Sequence, residues 1–160
     1  PFNHPSDIAV APSGEIYISD GYGNSSIHTF SAEGEFLGSF GSPGSGPGQF
    51  RVPHSLWVAN DGRVLVCDRE NDRVQVFAAD GAYLTEWTDF KAPMGIYIDE
   101  QQTVYVTDQI PRLSIFNLSG ELLARGRTFE NAHHVYGNSR GDLYATDVAN
   151  HRLQKFVKKA

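Results

Sequence analysis

Apolar residues in this chain come in short runs, among them "IYISD", "VLVCD", "VYVTD" and "LYATD", broken by turns rich in Gly, Asn and Asp. Runs of that length between such turns predict β-strands. The pattern repeats. "PSDIAVAPSGEIYISD" from Pro5, "PHSLWVANDGRVLVCD" from Pro53, "PMGIYIDEQQTVYVTD" from Pro93 and "AHHVYGNSRGDLYATD" from Ala132 align as four copies of one two-strand unit. In each copy the residue after the leading Pro or Ala (Ser6, His54, Met94, His133) stands 14 positions before a closing Asp (Asp20, Asp68, Asp108, Asp147). A turn and a third apolar run follow, ending at Phe30, Phe77, Phe116 or Phe156. Three copies then continue through Gly34, Gly81 or Gly120 into a fourth run such as "EFLGSF" or "AYLTEW".

Four short strands in roughly 40 residues are the content of one β-propeller blade. The expected fold is all-β, a single propeller unit over 1–160 with four blades at approximately 5–48, 49–91, 92–128 and 129–160. The last blade lacks its outer strand, because the chain stops at "NHRLQKFVKKA". The leading positions are expected beside the central channel, where the innermost strands enter. The stretch "GSPGSGPGQF", Gly41 to Phe50, reads as a flexible surface loop.

Composition narrows the class. With 160 residues, 40% hydrophobic, 16 Gly and 8 Pro, the chain is long enough to bury a core and too turn-rich to be mainly helical. A net charge of −6 leaves no broad electrostatic footprint for nucleic acid or anionic lipid, so neither nucleic acid nor a membrane is an expected partner. There is no run of 18 apolar residues, and "PFNHPSDIAV" carries neither a basic nor a long apolar segment. The reading is a soluble chain without signal peptide or transmembrane segment, of unknown compartment. One cysteine, Cys67, excludes an internal disulfide; lying in "RVLVC", it reads as a buried thiol.

"NDRVQVF" at Asn71 to Phe77 and "NHRLQKF" at Asn150 to Phe156 resemble the NHL repeat. More narrowly, "SDGYGNSSI", "PGQFRVPHSL", "DRENDRVQVF" and the His133 copy resemble, in that order, the peptidyl-α-hydroxyglycine α-amidating lyase family. The resemblance implies a six-bladed propeller whose channel holds zinc on three histidines and which cleaves a peptidyl-α-hydroxyglycine to a peptide amide and glyoxylate. Carried over residue by residue, it makes His54 and His133 metal ligands, Tyr22 the catalytic tyrosine and Arg69 the catalytic arginine. The chemistry agrees: imidazole suits Zn²⁺, a Lewis acid toward a bound hydroxyl, and arginine's planar fork grips a carboxylate.

The four copies depart from that pattern. The third zinc histidine and a further catalytic arginine belong to blades with no counterpart here, Asn131 stands where a methionine is expected, and His134 stands where a calcium-binding aspartate is expected. The zinc site is therefore expected to be weak or incomplete, and a calcium site is not supported. Four blades shaped for a ring of six predict an open or self-associating arc with exposed apolar blade faces.

Each candidate also has a structural reading. His54 and His133 can simply bond the blade top, Arg69 can pair with Asp68 or Glu70, and Tyr22 can cover the core. Met94 reads as channel lining. Asp20, Asp68, Asp108 and Asp147 recur in every copy and Arg73, Arg112 and Arg152 in three, which points to blade construction. Two readings stay open: a zinc-dependent carbon–nitrogen lyase acting on a peptide substrate, and a catalytically silent NHL propeller binding a peptide or protein on its top face. An RNA-binding propeller is disfavoured by the acidic charge.

Overall fold

The computed structural model describes residues 2–127 and 130–158. The expected blade boundary at 128/129 therefore lies outside the described residues. β1 (Asp7–Val10), β2 (Ile16–Asp20), β3 (Ser26–Phe30) and β4 (Phe36–Phe40) form one antiparallel sheet in chain order. The short β5 (Ser42–Pro43) and β6 (Gln49–Phe50) pair in parallel. The second sheet holds β7 (Pro53–Val58), β8 (Val64–Asp68), β9 (Arg73–Phe77) and β10 (Tyr83–Trp87), with a 3-10 turn at Arg69–Asn71. The third holds β11 (Pro93–Ile98), β12 (Val104–Asp108), β13 (Arg112–Phe116) and β14 (Leu122–Arg127). β15 (Ala132–Gly137), β16 (Leu143–Asp147) and β17 (Arg152–Phe156) make a three-stranded sheet. The arrangement is that of four propeller blades. Gly34, Gly81 and Gly120 take φ of 87°, 87° and 83° in the turns before the outer strands, a region that an L side chain resists.

Two-residue alternation sends the side chains of a middle strand to both neighbours. On β8, Val64 and Val66 join Tyr17, Ile27, Phe50, Leu56 and Phe77 between the first two blades. Leu65 and Cys67 join Val74, Trp87, Ile96, Val106 and Phe116 between the second and third. Burial pushes the Cys67 thiol well above its ordinary pKa, so it stays a packed, unreactive group. The outward faces of the end blades are not covered in this way: Ile8 and Val10 are 58% and 63% exposed, and Leu153 is 63% exposed.

The recurring aspartates are buried latches. Asp68 Oδ2 accepts from Asn71 Nδ2 at 2.7 Å and Arg73 Nε at 2.9 Å. Asp147 repeats the pair with Asn150 and Arg152, and Asp108 accepts from Arg112. This explains the Asn and Arg of the repeated motif. The first copy has Ser26 in place of the arginine, and His28 Nε2, 3.3 Å from Asp20 Oδ2, takes over. The 41–50 stretch differs from the flexible loop expected. Arg73 donates to Gly46 O and Gln49 O, Gln75 to Gln49 O and Asn71 to Gly44 O, while Phe50 is fully buried. Side chains from β9 and its preceding turn tie the segment down, which its Gly and Pro content does not reveal. No helix among the described residues is long and apolar enough to cross a membrane.

Candidate active site

The site is aimed by a repeated irregularity. On β7, Pro53 pairs with Asp68 and Ser55 with Cys67, so His54 is an extra residue in the ladder. Met94 and His133 are extra residues at the same point of β11 and β15. A bulge of this kind breaks strict alternation and redirects a side chain. The His54 and His133 rings meet edge to face with centroids 4.9 Å apart, although one blade separates their strands.

His54 is nearly buried, and its Nδ1–H donates to Met94 O at 2.7 Å. That bond leaves Nε2 with a free lone pair, the orientation that a backbone carbonyl imposes on a metal-ligating histidine. Burial, with the charges of His133 and Arg69 behind it and the Met94 bond opposing, lowers the pKa of His54 to about 4. His133 is lowered by burial and by the charges of His134 and Arg69. Both imidazoles are therefore neutral, electron-donating groups near neutral pH.

Tyr22 and Arg69 stand beside this pair. The Tyr22 and His54 ring centroids are 5.7 Å apart. Arg69 Nη1 donates to the Tyr22 hydroxyl at 3.4 Å, and its guanidinium carbon lies 5.4 Å from the Tyr22 ring centre. The turn that presents Arg69 is secured by Arg69 N to Val52 O and Glu70 N to Arg51 O, both 3.0 Å. Arg69 Nε donates to Glu70 Oε1 at 2.8 Å, so one edge of the guanidinium is engaged. Tyr22, His54, Arg69 and His133 thus come from three blades and two connecting turns to one end of the channel.

Just below, Asp7 and Ser55, which the sequence had not singled out, meet His134, which it had. Asp7 Oδ2 accepts from Ser55 Oγ at 2.6 Å and Leu56 N at 3.1 Å, and His134 Nε2 is 3.6 Å away. Against the desolvation of burial, the bonds from His134 and Ser55 hold the Asp7 carboxyl below its ordinary pKa, and the bond to Asp7 raises His134. His134 therefore serves this ion pair and not the His54–His133 pair. Gly95 occupies the equivalent place on β11, where an added Cβ would lie 2.7 Å from His134 Cα. The signal was present in the aligned copies as Asp7, Ser55, Gly95 and His134, one residue after the leading positions.

As a metal site the donor set is partial. The two neutral imidazoles are donors of a type that suits zinc, but no group of three or more His, Cys, Asp or Glu among the described residues is arranged to hold a metal ion.

A family model described as DUF5128, 6-bladed beta-propeller, matches residues 1–118. The chain belongs to this 6-bladed beta-propeller family. The chain is similar to peptidyl-glycine alpha-amidating monooxygenase B of Xenopus laevis, 31% identical over 178 residues that cover 97% of this chain and 20% of that protein. It is similar to the probable peptidyl-alpha-hydroxyglycine alpha-amidating lyase pgal-1 of Caenorhabditis elegans, 43% identical over 81 residues, 49% of this chain and 23% of that protein. Human NHL repeat-containing protein 3 is 40% identical over 91 residues, 55% of this chain and 26% of its own length. The resemblance to amidating lyases and NHL proteins therefore holds at the level of sequence, and the chain spans 20–26% of the length of these relatives. A solved streptogramin B lyase shares the fold, with a TM-score of 0.73, 14% identity, and coverage of 98% of this chain and 55% of that one.

Proposed function

We propose that these four blades, as part of a 6-bladed propeller, act in a lyase that splits a peptidyl-α-hydroxyglycine into a peptide amide and glyoxylate. The observation that supports it is the convergence of Tyr22, His54, Arg69 and His133 at one channel mouth. His54 and His133 would hold a Zn²⁺, the remaining protein donor coming from blades beyond these four. When bound, the metal supplies Lewis-acid polarisation of the substrate hydroxyl. Arg69 receives the terminal carboxylate on the guanidinium edge that Glu70 leaves open. Tyr22 would take the hydroxyl proton. The carbon–oxygen bond becomes the carbonyl of glyoxylate, the carbon–nitrogen bond breaks, and the nitrogen gains a proton to become the peptide amide.

The test is glyoxylate release from a peptidyl-α-hydroxyglycine by zinc-supplemented protein. Wild type is expected to exceed the buffer blank, and Arg69→Ala to lower kcat/KM by about 100-fold through lost orientation of the carboxylate. A wild-type rate equal to the blank overturns the proposal. The two-imidazole donor set favours a second reading, a silent propeller that binds peptide at the same mouth. Saturable peptide binding without glyoxylate would select it.

We also propose that the uncovered faces around Ile8, Val10 and Leu153 bury themselves against further blades, or against a second copy when the 160-residue chain is alone. Light scattering is expected to show self-association of that chain; a monomer at all concentrations contradicts it.

A further inference from the structure

The channel has a second mouth. Trp57, Tyr97 and Tyr136 lie four residues after Pro53, Pro93 and Ala132, equivalent places on β7, β11 and β15. Trp57 is three residues further along its strand than His54, about 10 Å away at the rise of a β-strand. The three rings form a triangle with centroid separations of 5.1, 5.0 and 5.7 Å. They line a cavity of about 690 Å³, a volume ordinary for small-molecule sites.

Two polar groups there are uncommitted, the Tyr97 hydroxyl and the Glu100 carboxylate. Tyr97 is only 8% exposed, yet its hydroxyl makes no hydrogen bond among the described residues. Asp99 and Glu100, in the turn after β11, line the same cavity. Burial and then the charges of Asp99 and Glu100, together with Tyr136, raise the pKa of Tyr97, which places both carboxylates within electrostatic reach of its ring. Asp99 is held by Thr103 N and Tyr105 Oη, while the Glu100 side chain makes no ion pair among the described residues. Lys158 is on the wall with Gly141.

Aromatic faces carry negative potential, and Asp99 and Glu100 outnumber Lys158 on the wall, so the mouth disfavours anions and offers a neutral apolar molecule nothing that it denies to a cation. Tyr97 stacks on Tyr105 and meets Trp57 edge to face, so the rings open to the cavity are Tyr136 and the half-buried Trp57, with centroids 5.7 Å apart, and one ammonium over these two lies within the roughly 6 Å range of cation–π attraction. We propose that this mouth binds an organic cation with an alkylated ammonium head, held over Trp57 and Tyr136 and balanced by Asp99 and Glu100. The proposal is independent of the lyase reading.

The test titrates the full 160-residue chain with choline and with 3,3-dimethylbutan-1-ol, which has the same shape without the charge, following heat and tryptophan fluorescence. Choline is expected to bind at least about tenfold more tightly than the alcohol. Tyr136→Ala, which removes a ring that is 56% exposed, and Glu100→Gln are each expected to weaken choline about fivefold. Glu33→Gln, which removes the same charge at an exposed turn of the first blade, is expected to leave it unchanged. No saturable choline binding, equal binding of the alcohol, or an equal loss in Glu33→Gln overturns the proposal.

Discussion

Arg73→Ala is expected to lower the unfolding free energy by about 3–5 kcal/mol, the range for removing one partner of a buried ion pair. The Arg73 side chain is 7% exposed and the Asp68 side chain is fully covered. Its guanidinium donates to Asp68 Oδ2 at 2.9 Å, Glu86 Oε2 at 2.8 Å, Gly46 O at 2.9 Å and Gln49 O at 2.8 Å. Truncation leaves the carboxylate and two carbonyls short of a donor at once. Burial already raises the pKa of Asp68 against the bonds from Asn71, Arg51 and Arg73, so losing Arg73 pushes it further toward the protonated form. Lys91→Ala is the contrast. That side chain is 61% exposed and its partner Asp72 is 41% exposed, so the change is expected to cost under about 0.5 kcal/mol. Urea unfolding with an unchanged m-value measures both. A loss below about 1 kcal/mol for Arg73→Ala would show that the latch is not a structural necessity.

The metal-free protein is expected to lose about 3 kcal/mol as the pH falls from 7 to 4 through His54 alone. The ordinary histidine pKa is 6.5 and burial lowers that of folded His54 to about 4. In that window the unfolded chain binds a proton that the folded chain refuses. The stability from His54 is therefore complete above about pH 6.5 and is lost progressively down to about pH 4. His133 is shifted the same way; His134, raised by Asp7, works in the opposite sense and is most favourable below the ordinary histidine pKa. His54→Asn isolates the effect, because its amide can still donate to Met94 O but does not titrate. In chelator, the wild-type melting temperature is expected to fall more steeply than that of His54→Asn between pH 7 and 4. Parallel curves would mean that His54 takes up its proton over the same pH range in the folded and unfolded chains, and that burial does not hold it neutral below its ordinary pKa of 6.5.

Several features of the site were readable before any coordinates. The "PGQFRVPHSL" and "DRENDRVQVF" blocks pointed to His54 and Arg69, and the structure sets both beside Tyr22 and His133. The bulge that turns His54 inward was not readable, since the ladder slip at Ser55 depends on how β7 meets β8 and not on a residue type that announces it. The aromatic row escaped for another reason: Trp57, Tyr97 and Tyr136 look like ordinary strand hydrophobes until three blades bring them around one opening.

By itself the sequence determined the all-β class, the repeated strand order, and the residues that close each blade. These depend on local alternation, turn chemistry and side chains a few positions apart, as in Asp68, Asn71 and Arg73. Only the tertiary structure decided which side chains share the channel, that Asp7 meets His134, and that the Gly-rich 41–50 segment is tied to the second blade. Those contacts join residues tens of positions apart, and their partners are selected by blade stacking and bulge geometry, which no single copy of the repeat specifies by itself.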